Sequence, residues 1–282
     1  MEVIKKIAEM KEISLCLKRE GKSIGLVPTM GYLHEGHLSL IKAARQENDI
    51  IIMSNFINPL QFGPKEDFAT YPRDLDRDNK SAEAAGVDYV FAPPSEEMYP
   101  QGYCTYVEVN GPMVEKMCGK SRPGHFKGVT TVVLKLFLIT QPDRAYFGQK
   151  DAQQAIIVRK MVTDLNVPVK IITCPIVREE DGLALSSRNT YLSSEERLQA
   201  LALPRALSAG RDMILKGETD PLKVKQHITS MLASSPGIRV DYVEVVDGND
   251  LSDLSVIKGK VLLAAAVYVG KTRLIDNIDL EV

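Results

Sequence analysis

The sequence predicts an α/β protein: a parallel sheet with helices on both faces, followed by a smaller α+β C-terminal domain. Two observations carry this. Up to residue 177, short apolar segments of strand length alternate with helix-length segments, the pattern of βαβ units. Beyond Asn189 the texture changes to a capped helix followed by strand-like segments, an α+β pattern. The 282 residues, 44% hydrophobic and 26% charged, suffice for one large core or two unequal ones.

In order along the chain, residues 24–28 read as a short buried strand, followed by a glycine turn and a helix over 34–46. Residues 49–56, rich in isoleucine, form the next strand; 74–85 read as a helix and 87–92 as a strand. Residues 103–109 alternate with period two. Residues 129–140 suit either a strand by their β-branched content or a buried helix by their length. A strand at 144–147 leads into a helix over 151–166, and 167–177 is a further strand. Ser193 and Glu196 form a capping box that opens a helix running toward Lys216, with Gly217 at its end. In the strand 238–246, alternation puts Val240, Tyr242, Glu244 and Val246 on one face, and 261–269 is an apolar strand. The expected division is a catalytic domain at 1–177, a hinge at 178–189 and a C-terminal domain at 190–282.

The formal net charge of −2, with lysine and arginine scattered, provides no basic stripe for a nucleic acid. Cys16, Cys104, Cys118 and Cys174 are far apart and read as buried free thiols of a reducing compartment. The N-terminus does not read as a signal peptide, and the most apolar run falls short of the ~20 residues of a membrane span. A soluble, cytoplasmic protein is expected.

The sharpest chemical signal is Pro28-Thr29-Met30-Gly31-Tyr32-Leu33-His34-Glu35-Gly36-His37. A buried strand ends in a glycine turn, and two histidines three apart open a helix, on one face and beside unpaired amides that favour an anion. Gly36 leaves room for a flat base against the backbone. Zinc-type His-Glu-x-x-His spacing needs histidines four apart, and the P-loop pattern is absent. A second stretch, Leu185-Ser186-Ser187-Arg188-Asn189, offers two hydroxyls and an arginine to phosphate oxygens. In a third, Phe147-Gly148-Gln149-Lys150-Asp151, Lys150 is a cation for phosphates, and Asp151 either caps the helix or binds ribose. In a fourth, Asn58 and Gln61 are neutral amides suited to hydroxyls and a carboxylate, and the loop from there to Tyr71-Pro72-Arg73 could act as a lid. A compact basic loop carries Arg122, His125 and Lys127.

These stretches together resemble the pantoate–β-alanine ligase family (pantothenate synthetases), over about residues 24–189. The resemblance implies a Rossmann-like N-terminal domain, a helix at 129–140, a homodimer, and ligation of pantoate to β-alanine with ATP and Mg²⁺ through a pantoyl adenylate. It assigns ATP to Met30, Gly31, Tyr32, Leu33, His34, Glu35, Gly36, His37, Gly148, Gln149, Lys150, Asp151, Val177, Leu185, Ser186, Ser187 and Arg188. It assigns pantoate to Gln61 and Gln154, and names His37 as an acid. His34, His37, Lys150, Ser186, Ser187 and Arg188 are the expected donors to the charge developing in the reaction. The acidic cluster associated with Mg²⁺ reads Asp74-Leu75-Asp76-Arg77-Asp78, interrupted by Arg77, so the metal ligands stay open. Leu185 stands where methionine is common. Two rival readings are a nucleotidylyltransferase with the same histidine motif, which would need basic residues for a phosphate acceptor, and a nucleotide sensor without turnover. The C-terminal domain is expected to act as a lid and to support the dimer.

Overall fold

The computed structural model describes residues 1–64 and 66–282, and they divide into two compact units. The first comprises Met1–Val109, Arg122–Gly148 and Ile157–Pro175. The second comprises Asn110–Ser121, Gln149–Ile156 and Ile176–Val282.

The first unit is built on six parallel strands: β1 (Glu2–Ile4), β2 (Ile24–Thr29), β3 (Ile50–Asn55), β4 (Tyr89–Phe91), β5 (Arg144–Gly148) and β6 (Lys170–Cys174). Their order is β1-β4-β3-β2-β5-β6. From β4 to β6 this is the doubly wound arrangement, with its switch point between β2 and β5, where ligands bind outside the carboxyl ends of the strands. The central strands read as unbroken apolar runs because both faces are covered: Leu26, Val27, Ile51, Ile52 and Met53 are fully buried.

Pro28 sits in central β2, where a missing N–H would ordinarily break a ladder. Carbonyls of odd-numbered residues point to the β3 side, as Ser23 and Thr29 accept from Ile50 and Phe56, whereas that of Ile24 accepts from Asp143 on the β5 side. By parity Pro28 also faces β5, but the β2–β5 pairing covers only Gly25↔Arg144 and Leu26↔Ala145. The proline therefore stands where that ladder has already parted, and no partner loses a donor.

The ambiguous segment is a helix, His125–Thr140, mostly buried. Its threonines are self-sufficient: Thr140 Oγ1 donates to the Leu136 carbonyl, and Thr130 Oγ1 donates to those of Phe126 and Val107. Lys135, the only lysine or arginine of residues 129–140, lies over the rings of Tyr99 and Tyr103 at 5.6 and 4.8 Å, so its stem packs without stranding its charge. Residues 103–109 do not form the strand that their alternation suggests. At the centre of this segment, Val107 bonds instead to side chains of the helix, its N–H to Thr131 Oγ1 at 3.0 Å and its C=O from Thr130 at 2.6 Å.

The second unit has an antiparallel sheet of β7 (Ile238–Asp247), β8 (Lys260–Val269) and β9 (Thr272–Glu281), in that order. One face packs on the helices Ala202–Leu215 and Pro221–Ala233 through Val243, Val245, Leu263 and Val267. The other packs on Met117, Ala152 and Ile156 through Val246, Leu262 and Ala264. The expected single face of β7 is interrupted by a register shift between Val240 and Tyr242. Val240 falls opposite Val267, while Tyr242, Glu244 and Val246 fall opposite Ala266, Ala264 and Leu262 on the other face. The Ser193–Glu196 capping box forms, but the helix it opens ends at Ala200 and a second begins at Ala202. Pro204 cannot donate to the carbonyl four residues back, which separates the two. Two of the four cysteines, Cys16 and Cys104, are exposed rather than buried.

Candidate functional site

At the carboxyl end of β2 the chain turns through Gly31 (φ +79°) and Tyr32 (φ +53°) into the helix Glu35–Glu47. A side chain at Gly31 would place its Cβ 2.5 Å from Asn55 Oδ1 and 2.9 Å from Asp78 Oδ2, so both sterics and dihedral require glycine. Asp78, buried on the helix Leu75–Ala84, holds this turn. Its carboxylate accepts from Tyr32 N–H and Leu33 N–H at 2.7 Å each and from Asn55 Nδ2 at 3.0 Å. Arg77 braces the same turn, donating to the Leu33 carbonyl at 3.0 Å with its guanidinium 4.7 Å from the centre of the Tyr32 ring. Asp74 caps its own helix by accepting from Arg77 N–H. The acidic cluster thus builds the turn, and the described residues contain no group of three or more His, Cys, Asp or Glu side chains able to hold a metal ion.

His34 is the N-cap of the following helix. Its Nδ1 accepts from Gly36 N–H at 3.2 Å, and His37 Nδ1 accepts from His34 N–H at 3.3 Å. A reciprocal cap of this kind ordinarily uses serine and glutamate; here two imidazoles make it, with ring centroids 4.1 Å apart. Because each Nδ1 is an acceptor, each neutral ring carries its proton on Nε2 and is a donor there.

Beyond β3, Asn58 caps the short turn Pro59–Gln61. Its amide donates to Gln61 Oε1 at 3.1 Å and the Gly128 carbonyl at 3.0 Å, and it accepts from Tyr99 OH at 2.8 Å and Leu60 N–H at 3.3 Å. The Gln61 amide is thereby oriented with Nε2 against Met30 Sδ at 3.1 Å, a weak acceptor that an oxygen ligand would readily replace. Burial pushes the Tyr99 hydroxyl well above the usual phenol range, with Tyr103 and Tyr106 adding to it, so it stays protonated as the donor to Asn58. The basic loop supports the same turn. Arg122 Nη1 lies 3.0 Å from His125 Nε2, which must therefore accept, so His125 Nδ1 donates to the Gln61 carbonyl at 2.8 Å. Arg122 also grips Glu66 through two oxygens at 2.8 and 2.6 Å. Burial raises the Glu66 carboxyl, but the Arg122 hydrogen bond and charge outweigh it and leave the carboxyl low. Phe62 packs edge-on against Phe68 and Tyr71, so the expected lid loop is cross-braced; Lys65 within it lies outside the described residues. A cleft of about 270 Å³ opens beside the Gly31 turn, lined by Tyr32, Phe56, Arg73 and Asp78 among others.

The remaining assigned residues, apart from Gly148 at the end of β5, belong to the second unit. Gln149, Lys150 and Asp151 form one 3-10 turn, with Lys150 Nζ 3.6 Å from Asp151 Oδ2. Gln154 lies on the helix Ala152–Asp164 that follows. Val177 and Leu185 are paired, Leu185 N–H donating to the Val177 carbonyl at 3.0 Å across a hairpin whose tip holds Gly182 at φ +93°. Ser186 caps the turn Ser187–Tyr191 by accepting from Arg188 N–H, and Ser187 is buried. Arg197 fastens the hairpin through Glu179 at 2.8 Å and Asp181 at 2.6 Å. Its hydrogen bonds hold both carboxyls below their usual values.

The first unit has the architecture of doubly wound α/β proteins, which bind ligands outside the carboxyl ends of their strands, and the reciprocal histidine cap stands at that edge. A family model for pantoate–β-alanine ligase matches residues 2–279. The chain is 60% identical over 282 residues to pantothenate synthetase of Moorella thermoacetica, covering 100% of this chain and 99% of the relative. It is also 60% identical to that of Acetivibrio thermocellus, with both chains fully covered. Among solved structures, pantothenate synthetase from Thermus thermophilus superposes with a TM-score of 0.94 at 48% identity, each chain covered in full. The Francisella tularensis pantoate–β-alanine ligase, complexed with β,γ-ATP and β-alanine, gives a TM-score of 0.79 at 36% identity, over 99% of this chain and 97% of that one. This chain belongs to the pantoate–β-alanine ligase family.

Sequence reasoning missed Asp78 as the clamp on the Gly31 turn, because an acidic run before a helix reads equally well as metal ligands. It also missed Tyr99, Asp276 and Asn277, which no local pattern marks.

Proposed function

We propose that the protein condenses pantoate with β-alanine to pantothenate, consuming ATP and releasing AMP and pyrophosphate. The observation that carries this is the reciprocal histidine cap at the carboxyl edge of β2, within a chain that matches the family model from residue 2 to 279. In the first step a pantoate carboxylate oxygen attacks the α-phosphorus of ATP, and the bond to pyrophosphate breaks. Such a transfer needs two anions held together and charge neutralised on the leaving oxygens. His34 and His37, through Nε2–H, with Lys150, Ser186, Ser187 and Arg188, supply those donors. Gln61, fixed by Asn58, presents N–H to pantoate, and Gln154 joins it. In the second step the neutral amine of β-alanine attacks the acyl carbon, AMP departs with its bonding pair, and the new amide nitrogen gives up one proton to solvent. No protein nucleophile takes part.

Mg²⁺ would enter with ATP and would neutralise charge on the phosphates, as is common for this small and strongly hydrated ion. The protein acts in the cytoplasm as a homodimer, and light scattering of the purified chain tests the dimer. Residues 190–282 serve as a lid that shields the adenylate from water.

The decisive experiment is isotope exchange between pyrophosphate and ATP. Exchange should require pantoate and Mg²⁺ but not β-alanine; exchange that appears only with β-alanine would rule out a free adenylate step. A nucleotidylyltransferase would instead consume ATP with a phosphorylated acceptor, and a sensor would consume none.

A further inference from the structure

Two adjacent residues of β9, Asp276 and Asn277, are 2% and 3% exposed, although β9 lies at the edge of its sheet. Successive side chains of a strand point to opposite faces. Asp276 stands opposite Ala265, on the face packed by the C-terminal helices, and Asn277 opposite Ala264, on the face packed by Ala152 and Ile156. Each is spent on one stretch assigned to ATP. Asp276 receives Arg178 bidentately at 2.7 and 2.9 Å, and Arg178 also donates to the Gly182 carbonyl at 3.0 Å, which fixes the hairpin leading to Ser186–Arg188. Asn277 donates from Nδ2 to the carbonyls of both Gln149 and Lys150 at 2.9 Å, while its Oδ1 accepts from Gln149 Nε2 at 3.1 Å.

We infer that Asp276 and Asn277 are positioning residues for ATP: one dipeptide sets the backbone of the Lys150 turn and the base of the Ser186–Arg188 loop from opposite faces of one strand. This rests on the reading of those two stretches as phosphate contacts. A bidentate arginine–carboxylate pair whose carboxylate is buried, and a doubly donating buried amide, fix orientation better than surface contacts do. A purely hydrophobic edge strand would bury as much surface and leave both stretches free to turn.

The test is the KM for ATP in pantoate-dependent pyrophosphate exchange, measured on the full chain. Asn277→Ala removes both donors to the Lys150 turn, and Asn277→Asp keeps the shape but not the N–H. Each should raise the KM for ATP about ten-fold, the scale of one lost buried hydrogen-bonding group, with the KM for pantoate within about two-fold. Asp276→Asn should do the same through Arg178, and it carries the measurement if the Asn277 variants fail to fold. Combining Asn277→Ala with Lys150→Ala should add nothing beyond Lys150→Ala, because the two act through one contact. Val267→Ala, a core truncation in the neighbouring strand, should lower Tm without moving the KM for ATP. Folded Asn277 and Asp276 variants with the parent KM, or an additive double variant, or an equal KM change in Val267→Ala, would each overturn the inference. An unchanged KM in Lys150→Ala would overturn the site reading itself, and the inference with it.

Discussion

At the residue scale, the chemistry depends on which atom of a side chain the backbone has already claimed. His34 and His37 each spend Nδ1 on a main-chain N–H, and that choice makes Nε2 the donor. Asn58 spends its whole amide on the scaffold, so under the proposed function its part in recognising pantoate runs through Gln61. His37→Ala should lower the rate of adenylate formation by about 10²–10³, the usual cost of one preorganised donor to developing charge. It should cost only about 1 kcal/mol of stability, as for a lost helix cap. Stopped reactions at saturating ATP and pantoate, with thermal melts on the same preparation, separate the two effects. Near-parental turnover would remove His37 from the mechanism. Cys118→Ser is the matched control and should remain active.

At the scale of elements, the helix His125–Thr140 does more than fill the core. Gly128 lets it approach the Pro59–Gln61 turn so closely that an added Cβ would lie 2.3 Å from the Leu60 carbonyl oxygen and 2.6 Å from Gln61 N. Neither neighbour is a flexible side-chain end. Gly128→Ala should therefore push the turn away, break the Asn58–Gly128 bond and raise the KM for pantoate by about ten-fold or more. Overpacking of this kind typically costs about 1–3 kcal/mol. A variant that melts with the parent and keeps its KM for pantoate would show that the turn does not depend on this approach. The same helix takes the place of a strand partner at the middle of residues 103–109, where threonine hydroxyls satisfy the N–H and C=O of Val107.

At the scale of the whole molecule, the residues assigned to ATP are divided between the two units: those from Met30 to His37 with Gly148 in the first, the rest in the second. The hairpin before Ser186 is fastened within the second unit by Arg197 and by Asp276. A truncation near Asn189 would remove these anchors along with the expected lid, so it cannot test the lid alone. Arg188→Ala is the cleaner probe, since it leaves the anchors in place. Here the ratio of pantothenate formed to ATP consumed should fall, because an adenylate less well shielded from water hydrolyses before β-alanine attacks. A ratio equal to the parent's at reduced turnover would limit Arg188 to the phosphoryl step.

Sequence by itself determined the parallel sheet and the family, through a pattern repeated along residues 24–189, and the histidine-capped helix start and the Ser193–Glu196 box, because each of those depends on residues within a few positions of one another. By pattern alone the β-branched run at 129–140 stayed open, because strand and buried helix use the same apolar residues; in the fold it is a mostly buried helix that leaves Leu138 exposed. Tertiary structure alone decided the fate of Asp78, Tyr99, Asp276 and Asn277. Asp78 lies 46 positions from the Tyr32 amide it accepts from, Tyr99 lies 41 from Asn58, and Asn277 lies 127 from Lys150. The β7 register shift and the gap opposite Pro28 belong to the same class, since a ladder is defined only when its partner strand is in place. The physical reason is that hydrogen-bond partners across a fold are chosen by packing, which no local periodicity encodes.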